Sequence, residues 1–416
     1  MTEATHATTL EAVRRLVVTK QRLAGRLPTR VTPSRILDVV RDLAFVQWDP
    51  ISIVAPSHLL ALWSRVGAFR PSVVERMLWE EKSLLEHWTP IASLVRTEDF
   101  PIYRALMRRY PDSLSRSWGS QRTAARSFLA AHSALRRRIL AELAGGPLAV
   151  GQFADHLRTR RDDGEWTPAS DLAQMLFHLQ MSGDVMVVGR EGNQNLYGLA
   201  ERFLPKWVDR SDLSESEVER TAAQRAVRAL GTATPAEINY YFVRGRYQEL
   251  RPTLHALLAE GALQHLRVEG LSTAPELFIH RDDLPLLTVV GSDDWEPRTS
   301  LLPPFDNLIA NQARTKRLFG FDYVREQFLP ASKRRFGTYV LPILWGEQLI
   351  GRLDPRLDKA RGILHVNAVY AEPRAPADRA VAREIAAAVG RLAGCVGATE
   401  VQYGRPVPTA WRSALH

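Results

Sequence analysis

Apolar residues along this chain switch between two periods, and the switch happens twice in the same order. Leu172, Met175, Leu176 and Leu179 recur at intervals of three and four, which places them on one face of a helix. The run stops at Gly183, a residue suited to the left-handed position that closes a helix. Beyond it the period drops to two from Val185 to Val188, passes a polar turn at residues 189–195 and returns through Leu196, Tyr197 and Leu199. Helix, glycine stop and hairpin are the predicted order.

The same order recurs 78 residues later, counted from Gly183 to Gly261. Leu254, Leu257 and Leu258 lead to Gly261, Leu266 and Val268 alternate, and Leu277, Phe278 and Ile279 supply a return strand. Two shorter helical segments precede each copy. In the first they are residues 134–144, with Leu135, Ile139, Leu140 and Leu143 on one face, and residues 150–157. In the second they are residues 222–230 and 235–242, with Thr234 placed as an N-cap before a proline. Three helices followed by a hairpin make a winged helix, whose third helix commonly enters the major groove of DNA. Winged helices also serve as protein-interaction modules, so the fold alone leaves DNA binding open.

The N-terminal region reads as a third copy. Thr32-Pro33 opens a helix carrying Ile36, Leu37, Val40, Leu43 and Ala44, and a helix over residues 57–66 stops at Gly67. After residue 285 the texture changes. Residues 338–345 and 348–353 flank Gly346-Glu347 as a predicted hairpin, and residues 362–370 add a strand. Val381, Ile385, Val389 and Leu392 form the stripe of a last helix, predicted to stop at Gly394. The predicted class is α+β, with tandem winged-helix modules on a small C-terminal β-sheet or barrel scaffold forming a concave DNA-binding surface. The corresponding segments are 1–130, 131–210, 211–285 and 286–416.

Composition narrows the setting. With 416 residues, 45% hydrophobic and 24% charged, the chain reads as a folded protein of several modules. No apolar run has signal-peptide or membrane-span length, so a cytoplasmic, nucleoid-associated protein without a membrane partner is expected. The sole cysteine, Cys395, cannot form an internal disulfide or supply the thiolate set of a zinc finger or iron–sulfur cluster. No His-Glu-x-x-His motif or Walker phosphate loop occurs, and neither metal nor cofactor is expected.

The formal net charge of +9 suggests a polyanionic partner, nucleic acid first, although an arginine- and alanine-rich composition also follows from a GC-rich genome. Placement favours the partner. Arg158, Arg160 and Arg161 precede the third helix of one copy, Arg190 lies in its wing, and Arg244 and Arg246 precede the third helix of the next. These are positions where a winged helix meets phosphates, and Lys333-Arg334-Arg335 adds a basic run before the C-terminal hairpin.

Gln47-Trp48-Asp49, at the end of the apolar run from Leu43, sets an amide and a carboxylate two residues apart. Residues i and i+2 share a face only in extended chain, and Pro50 disfavours helix at Asp49. Spacing alone also fits a cap or a polar turn.

Together these features give a chain that resembles the crosslink-repair DNA glycosylases of the YcaQ and AlkZ type. The resemblance covers nearly the whole chain. Its most specific stretches are Phe45-Val46-Gln47-Trp48-Asp49, Glu86-His87-Trp88-Thr89-Pro90, Leu302-Pro303-Pro304-Phe305-Asp306-Asn307-Leu308, Phe319-Gly320-Phe321-Asp322-Tyr323 and Gly351-Arg352-Leu353-Asp354-Pro355. In that family the catalytic element is Gln-x-Gln in the branch devoted to one natural-product adduct and Gln-x-Asp in the branch that unhooks interstrand crosslinks. Gln47 and Asp49 match the second. Many relatives carry an aromatic-Trp-Ala-His pattern where this chain has His87-Trp88-Thr89-Pro90, and His87 is counted here among the candidate DNA contacts.

The resemblance implies a monofunctional glycosylase that acts on double-stranded DNA containing N7-alkylated or crosslinked guanine, and a monomer is expected because three modules already make an asymmetric groove. The chemistry agrees. A guanine alkylated at N7 is cationic and leaves as a neutral molecule, so what remains is an oxocarbenium-like sugar and a water. Asp49 would stabilise the sugar and accept the water's proton, and Gln47 would orient that water. A crosslinked guanine cannot be extruded into a closed pocket, so an open site with a wedge in the duplex is expected. Trp48 is the candidate wedge, with ordinary core packing as its alternative. The rival from another class is a non-catalytic winged-helix transcriptional regulator, which would prefer one operator over random duplex.

Overall fold

A computed structural model describes residues 5–89, 91–153, 171–192, 194–271 and 276–415. They divide into two compact units. One comprises Met1–Val73, Ala223–Ile238 and Leu254–His416, and the other comprises Val74–Ala222 and Asn239–Thr253. This grouping crosses the boundaries expected at residues 130, 210 and 285. Among the described residues no helix is long and apolar enough to cross a membrane.

The first unit is discontinuous because of a pairing that no local period reveals. Strand Thr5–Thr8 lies parallel to Leu263–Val268, with Thr5 opposite His265. The predicted hairpin of the second copy forms, with Phe278–His280 antiparallel to Leu263–Val268, and becomes the middle of a four-stranded sheet that Thr232–Ala233 completes. Helix Leu10–Lys20, capped by the Thr9 hydroxyl, packs Val13, Leu16 and Val17 into a core shared with Leu287, Val290, Leu318 and Phe321. Thr234 caps helix Pro235–Tyr240 as predicted: its hydroxyl accepts from the Glu237 amide at 3.2 Å, and the Glu237 carboxylate accepts from the Thr234 amide at 3.1 Å.

A five-stranded sheet occupies the C-terminal part of this unit, in the order Thr299–Leu301, Leu341–Trp345, Gln348–Asp358, Ile363–Ala371 and Glu400–Tyr403. Its central hairpin turns at Gly346-Glu347, as the sequence predicts. Helix Arg379–Val396 buries Val381, Ile385, Val389 and Leu392. It passes through Gly394 and ends at Gly397, whose φ of +73° supplies the left-handed cap, so the predicted stop is three residues early.

The second unit contains the first winged-helix copy. Helix Ser133–Leu143, a short 3-10 turn Val150–Gln152 and helix Asp171–Ser182 lead to Gly183, where φ is +77° and a Cβ would lie 2.7 Å from the Met107 sulfur. Strands Val185–Glu191 and Gln194–Leu199 then pair from Val185↔Leu199 to Glu191↔Gln194. Ile139, Leu143, Phe153, Leu172, Met175, Leu176 and Leu179 close its core, matching the predicted stripes. A separate hairpin, Leu84–Trp88 with Ala92–Arg96, also belongs to this unit.

Candidate active site

The triplet owes its conformation to the end of a helix. Thr32 caps helix Pro33–Leu43, which buries Ile36, Val39, Val40 and Leu43 along one face. The helix breaks at Ala44, which takes φ +65°, an uncommon value for a residue with a Cβ. From there the chain is extended through Val46–Gln47, and Asp49 lies two positions past Gln47, beyond the end of that strand. The half-buried Gln47 side-chain amide has no hydrogen-bond partner among the described residues. Asp49 is 9% exposed, and its Oδ1 accepts from the Ile51 amide at 2.8 Å, an Asx turn. Burial pushes the Asp49 carboxyl above the ordinary carboxylate value, against the smaller opposing effect of that hydrogen bond.

Three motifs distant in sequence hold this loop. Trp48 stacks on His58, in the first turn of helix Ser57–Val66, with ring centroids 4.0 Å apart and planes 13° from parallel. Asn307 donates to the Phe45 carbonyl at 3.0 Å. Its neighbour Asp306 forms a fully buried two-pronged pair with Arg65, at 2.7 and 2.8 Å, and Arg65 also donates to the carbonyls of Gln21 and Ala61.

The third motif works through Tyr339. Asp354 Oδ1 accepts from the backbone amides of Thr338 and Tyr339 at 2.9 and 2.8 Å, and Asn367 donates to its Oδ2 at 3.0 Å. Gly337 leaves room for this contact, because a Cβ there would stand 2.2 Å from Asp354 Cγ. Tyr339, fully buried, turns its hydroxyl to the Ala55 carbonyl at 3.5 Å and also bonds Ser57. Burial and then the charge of Asp49 push its phenol upward, which places Tyr339 in the field of that carboxylate. Beside it, Arg352 is sandwiched between the rings of Phe321 and Phe336, at 4.2 and 4.1 Å, and paired with Glu372. The Leu357 amide donates to the Ile53 carbonyl at 3.1 Å, tying the loop after the triplet to the five-stranded sheet.

The candidate DNA contacts divide. Arg190 is tied to Glu86 and Asn195 at the end of the first wing strand. Arg244 is partly exposed, over the ring of Tyr240 at 5.4 Å. Lys333 and Arg335 are exposed, and Arg334 donates to the Leu329 carbonyl and the Thr338 hydroxyl. Arg158, Arg160 and Arg161 lie outside the described residues.

Two expectations are corrected. His87 is buried against Tyr103, ring centroids 4.7 Å apart, and burial plus the nearby Arg246 guanidinium push its pKa down to about 3. It is neutral and turned inward. Arg246 is buried as well, its pKa lowered to about 10 by burial, and it donates to the Trp88 carbonyl at 3.4 Å. Both support the hairpin from within instead of facing a phosphate.

The hairpin's outer residue went unassigned in the sequence reading. Trp88 is 37% exposed and meets Phe177, equally exposed on helix Asp171–Ser182, edge to face at 5.3 Å. The Thr89 hydroxyl, donating to the Phe242 carbonyl at 2.6 Å, pins the turn beside it. Strand alternation places His87 and Trp88 on opposite faces, and that was the available signal. Asn307, Tyr339 and Asp354 stand in strings of polar and aromatic residues, but only the fold shows what they hold.

Residues 40–394 match the family model described as DNA glycosylase AlkZ-like. Among solved structures, the DNA glycosylase AlkZ of Streptomyces sahachiroi is similar over 96% of this chain and 100% of that one, with a TM-score of 0.66 at 17% sequence identity. At that identity the likeness speaks to the fold, which agrees with a mixed α+β chain of winged-helix modules. The family match spans most of the chain and selects the enzyme over the regulator: this protein belongs to the AlkZ-like DNA glycosylase family.

Proposed function

We propose that this glycosylase hydrolyses the N-glycosidic bond of N7-alkylated guanine, including guanine in an interstrand crosslink, and leaves an abasic site. The observation that carries the reading is a Gln47 amide without a hydrogen-bond partner among the described residues, two positions before a buried Asp49 carboxylate in the segment that follows the break at Ala44. Alkylation at N7 gives the departing base its positive charge, so no strong acid is needed to assist it. Asp49 stabilises the cationic sugar and takes the proton of the attacking water, while Gln47 orients that water through its amide. A rate gain of about 10⁴ requires about 5.5 kcal/mol of transition-state stabilisation, within reach of one placed carboxylate and one held water. Trp48 is a fixed ring beside the reacting centre, since His58 holds it by stacking.

Duplex DNA is the partner, engaged by a monomer. The exposed pair Trp88 and Phe177 supplies ring surfaces on which an unstacked base can rest, and Arg244, Lys333 and Arg335 supply cations for phosphates. The test is incubation with a duplex carrying one N7-methylguanine, then with a nitrogen-mustard crosslink, scoring abasic sites and unhooked strands. Asp49→Ala should abolish excision while duplex affinity is kept, and Gln47→Ala should lower the rate less. Excision by Asp49→Ala at the parent rate would end the assignment.

A further inference from the structure

The first unit holds a cavity of about 400 Å³. Leu60 and Trp63 of helix Ser57–Val66 form one wall, and Leu301 and Leu392 belong to the others. The size and the apolar lining fall in the range of small-molecule sites. An arginine-bearing recess of about 220 Å³ adjoins it, and the two share Pro28 and Arg298.

Charge distinguishes this cavity from a packing defect. Arg298 is partly buried and donates to the carbonyls of Gly25, Arg22 and Ser64 at 3.0, 2.6 and 3.1 Å and to the Ser300 hydroxyl at 3.4 Å; all of these acceptors are neutral, and it has no carboxylate partner among the described residues. Burial, followed by the Arg65 and Arg391 guanidiniums, lowers its pKa to about 10. Arg391, on the cavity wall, donates to the Thr299 carbonyl, and Glu384, the carboxylate that acts on it, already accepts from the Thr299 hydroxyl. Arg22, Arg26 and Arg65 in the recess have acidic partners, whereas Arg35, which is exposed, and Arg298, at the junction with the cavity, have none among the described residues. A cation held at the edge of an apolar space favours an anion whose remainder is apolar.

We infer that this cavity is a binding site for a small amphipathic anion, an alkyl or aryl carboxylate or phosphate, with its apolar body among Leu60, Trp63 and Leu392 and its anionic head at Arg298. The site does not depend on the glycosylase substrate. Its place does connect it to the catalytic loop: helix Ser57–Val66 presents Leu60 and Trp63 to the cavity and carries His58 beneath Trp48, and Leu301 leads into the segment whose Asn307 holds Phe45.

Cys395 lines the same cavity and is the chain's sole thiol, so its alkylation reports occupancy at one position. The full-length protein is treated with N-phenylmaleimide and followed by intact mass, with decyl phosphate or decanol added, alongside calorimetric titration of both. Decyl phosphate should slow alkylation at least roughly fivefold and bind roughly tenfold more tightly than decanol, a difference of about 1.4 kcal/mol. Ala68→Trp at the exposed rim, and independently Ala388→Trp on the wall, should abolish binding with melting unchanged. Arg298→Met should erase the preference for the phosphate. The inference is overturned if decyl phosphate gives no protection at about 1 mM, if decanol protects equally well, if both cavity-filling variants bind as the parent does, or if duplex DNA displaces the probe.

Discussion

Asn307 Nδ2 donates to the Phe45 carbonyl at 3.0 Å, and both residues are buried, so a side chain 262 positions downstream fixes the backbone just before Gln47. Asn307→Ala removes that donor and should cost about 1–3 kcal/mol of stability. Because the contact positions the strand without touching DNA, kcat should fall while duplex affinity is kept. Single-turnover excision beside a denaturant titration checks this, and an unchanged excision rate would show that the strand holds its course without Asn307.

Asp49 carries a pH prediction. Its native pKa lies above the ordinary value of 3.8, so the ionised form is disfavoured in the folded chain. Below 3.8 the folded and unfolded chains are both largely protonated at this position and the cost is absent. It grows as pH rises through 3.8 and is complete above the raised native value. Asp49→Asn, which retains an acceptor for the Ile51 amide, should therefore melt higher than the parent near neutral pH, with the gain shrinking on acidification. The same variant should lose excision, and parent excision should decline as pH falls through the raised value. Melting curves from pH 4 to 8 give the comparison, and equal melting temperatures throughout would contradict it.

The Arg65–Asp306 pair is fully buried, so breaking it from one side strands a charge. Arg65→Met alone should destabilise by about 3–5 kcal/mol, and adding Asp306→Leu should recover part of the loss. Recovery will be incomplete, because Arg65 also serves the carbonyls of Gln21 and Ala61. A double-mutant cycle in urea measures the coupling, and simple additivity would show that the pair contributes none.

Trp88 and Phe177 predict a binding effect without a folding effect. Each is substantially exposed, so replacement by alanine should leave melting nearly unchanged. Loss of a stacking surface is worth about 1–3 kcal/mol per base, so affinity for a duplex with an unstacked or mismatched base should fall more than affinity for an intact duplex. Equal losses on both DNAs would mean the pair makes only general contact.

Local chemistry was legible in the chain, and long-range pairing was not. The stripe Leu172, Met175, Leu176 and Leu179 and the stop at Gly183 appear where their period puts them, since a helix face and its cap are set within a few residues. The end of the helix before the triplet was readable for the same reason, from an apolar run meeting Pro50. The parallel match of Thr5–Thr8 with Leu263–Val268 leaves no periodic trace, because four alternating residues fit many partners. Arg246 is a candidate from its place before a third helix and His87 from a stretch that resembles the family; burial, shown only by the fold, turns both inward. Gly394 was a plausible stop, yet the apolar stripe continues through Ala393 and the left-handed turn waits for Gly397.

The strand Thr5–Thr8 also imposes a schedule on synthesis. Its partner ends at Val268, so a ribosome adding about 5–20 residues per second leaves this strand's polar backbone without its native neighbour for roughly 10–50 seconds. A strand made well before its partner is thus among the later ones to be seated. During that interval its unpaired edge is open to other chains, which makes the rate of translation and the binding of chaperones to the N-terminal helix determinants of yield that no substitution at the active centre would alter.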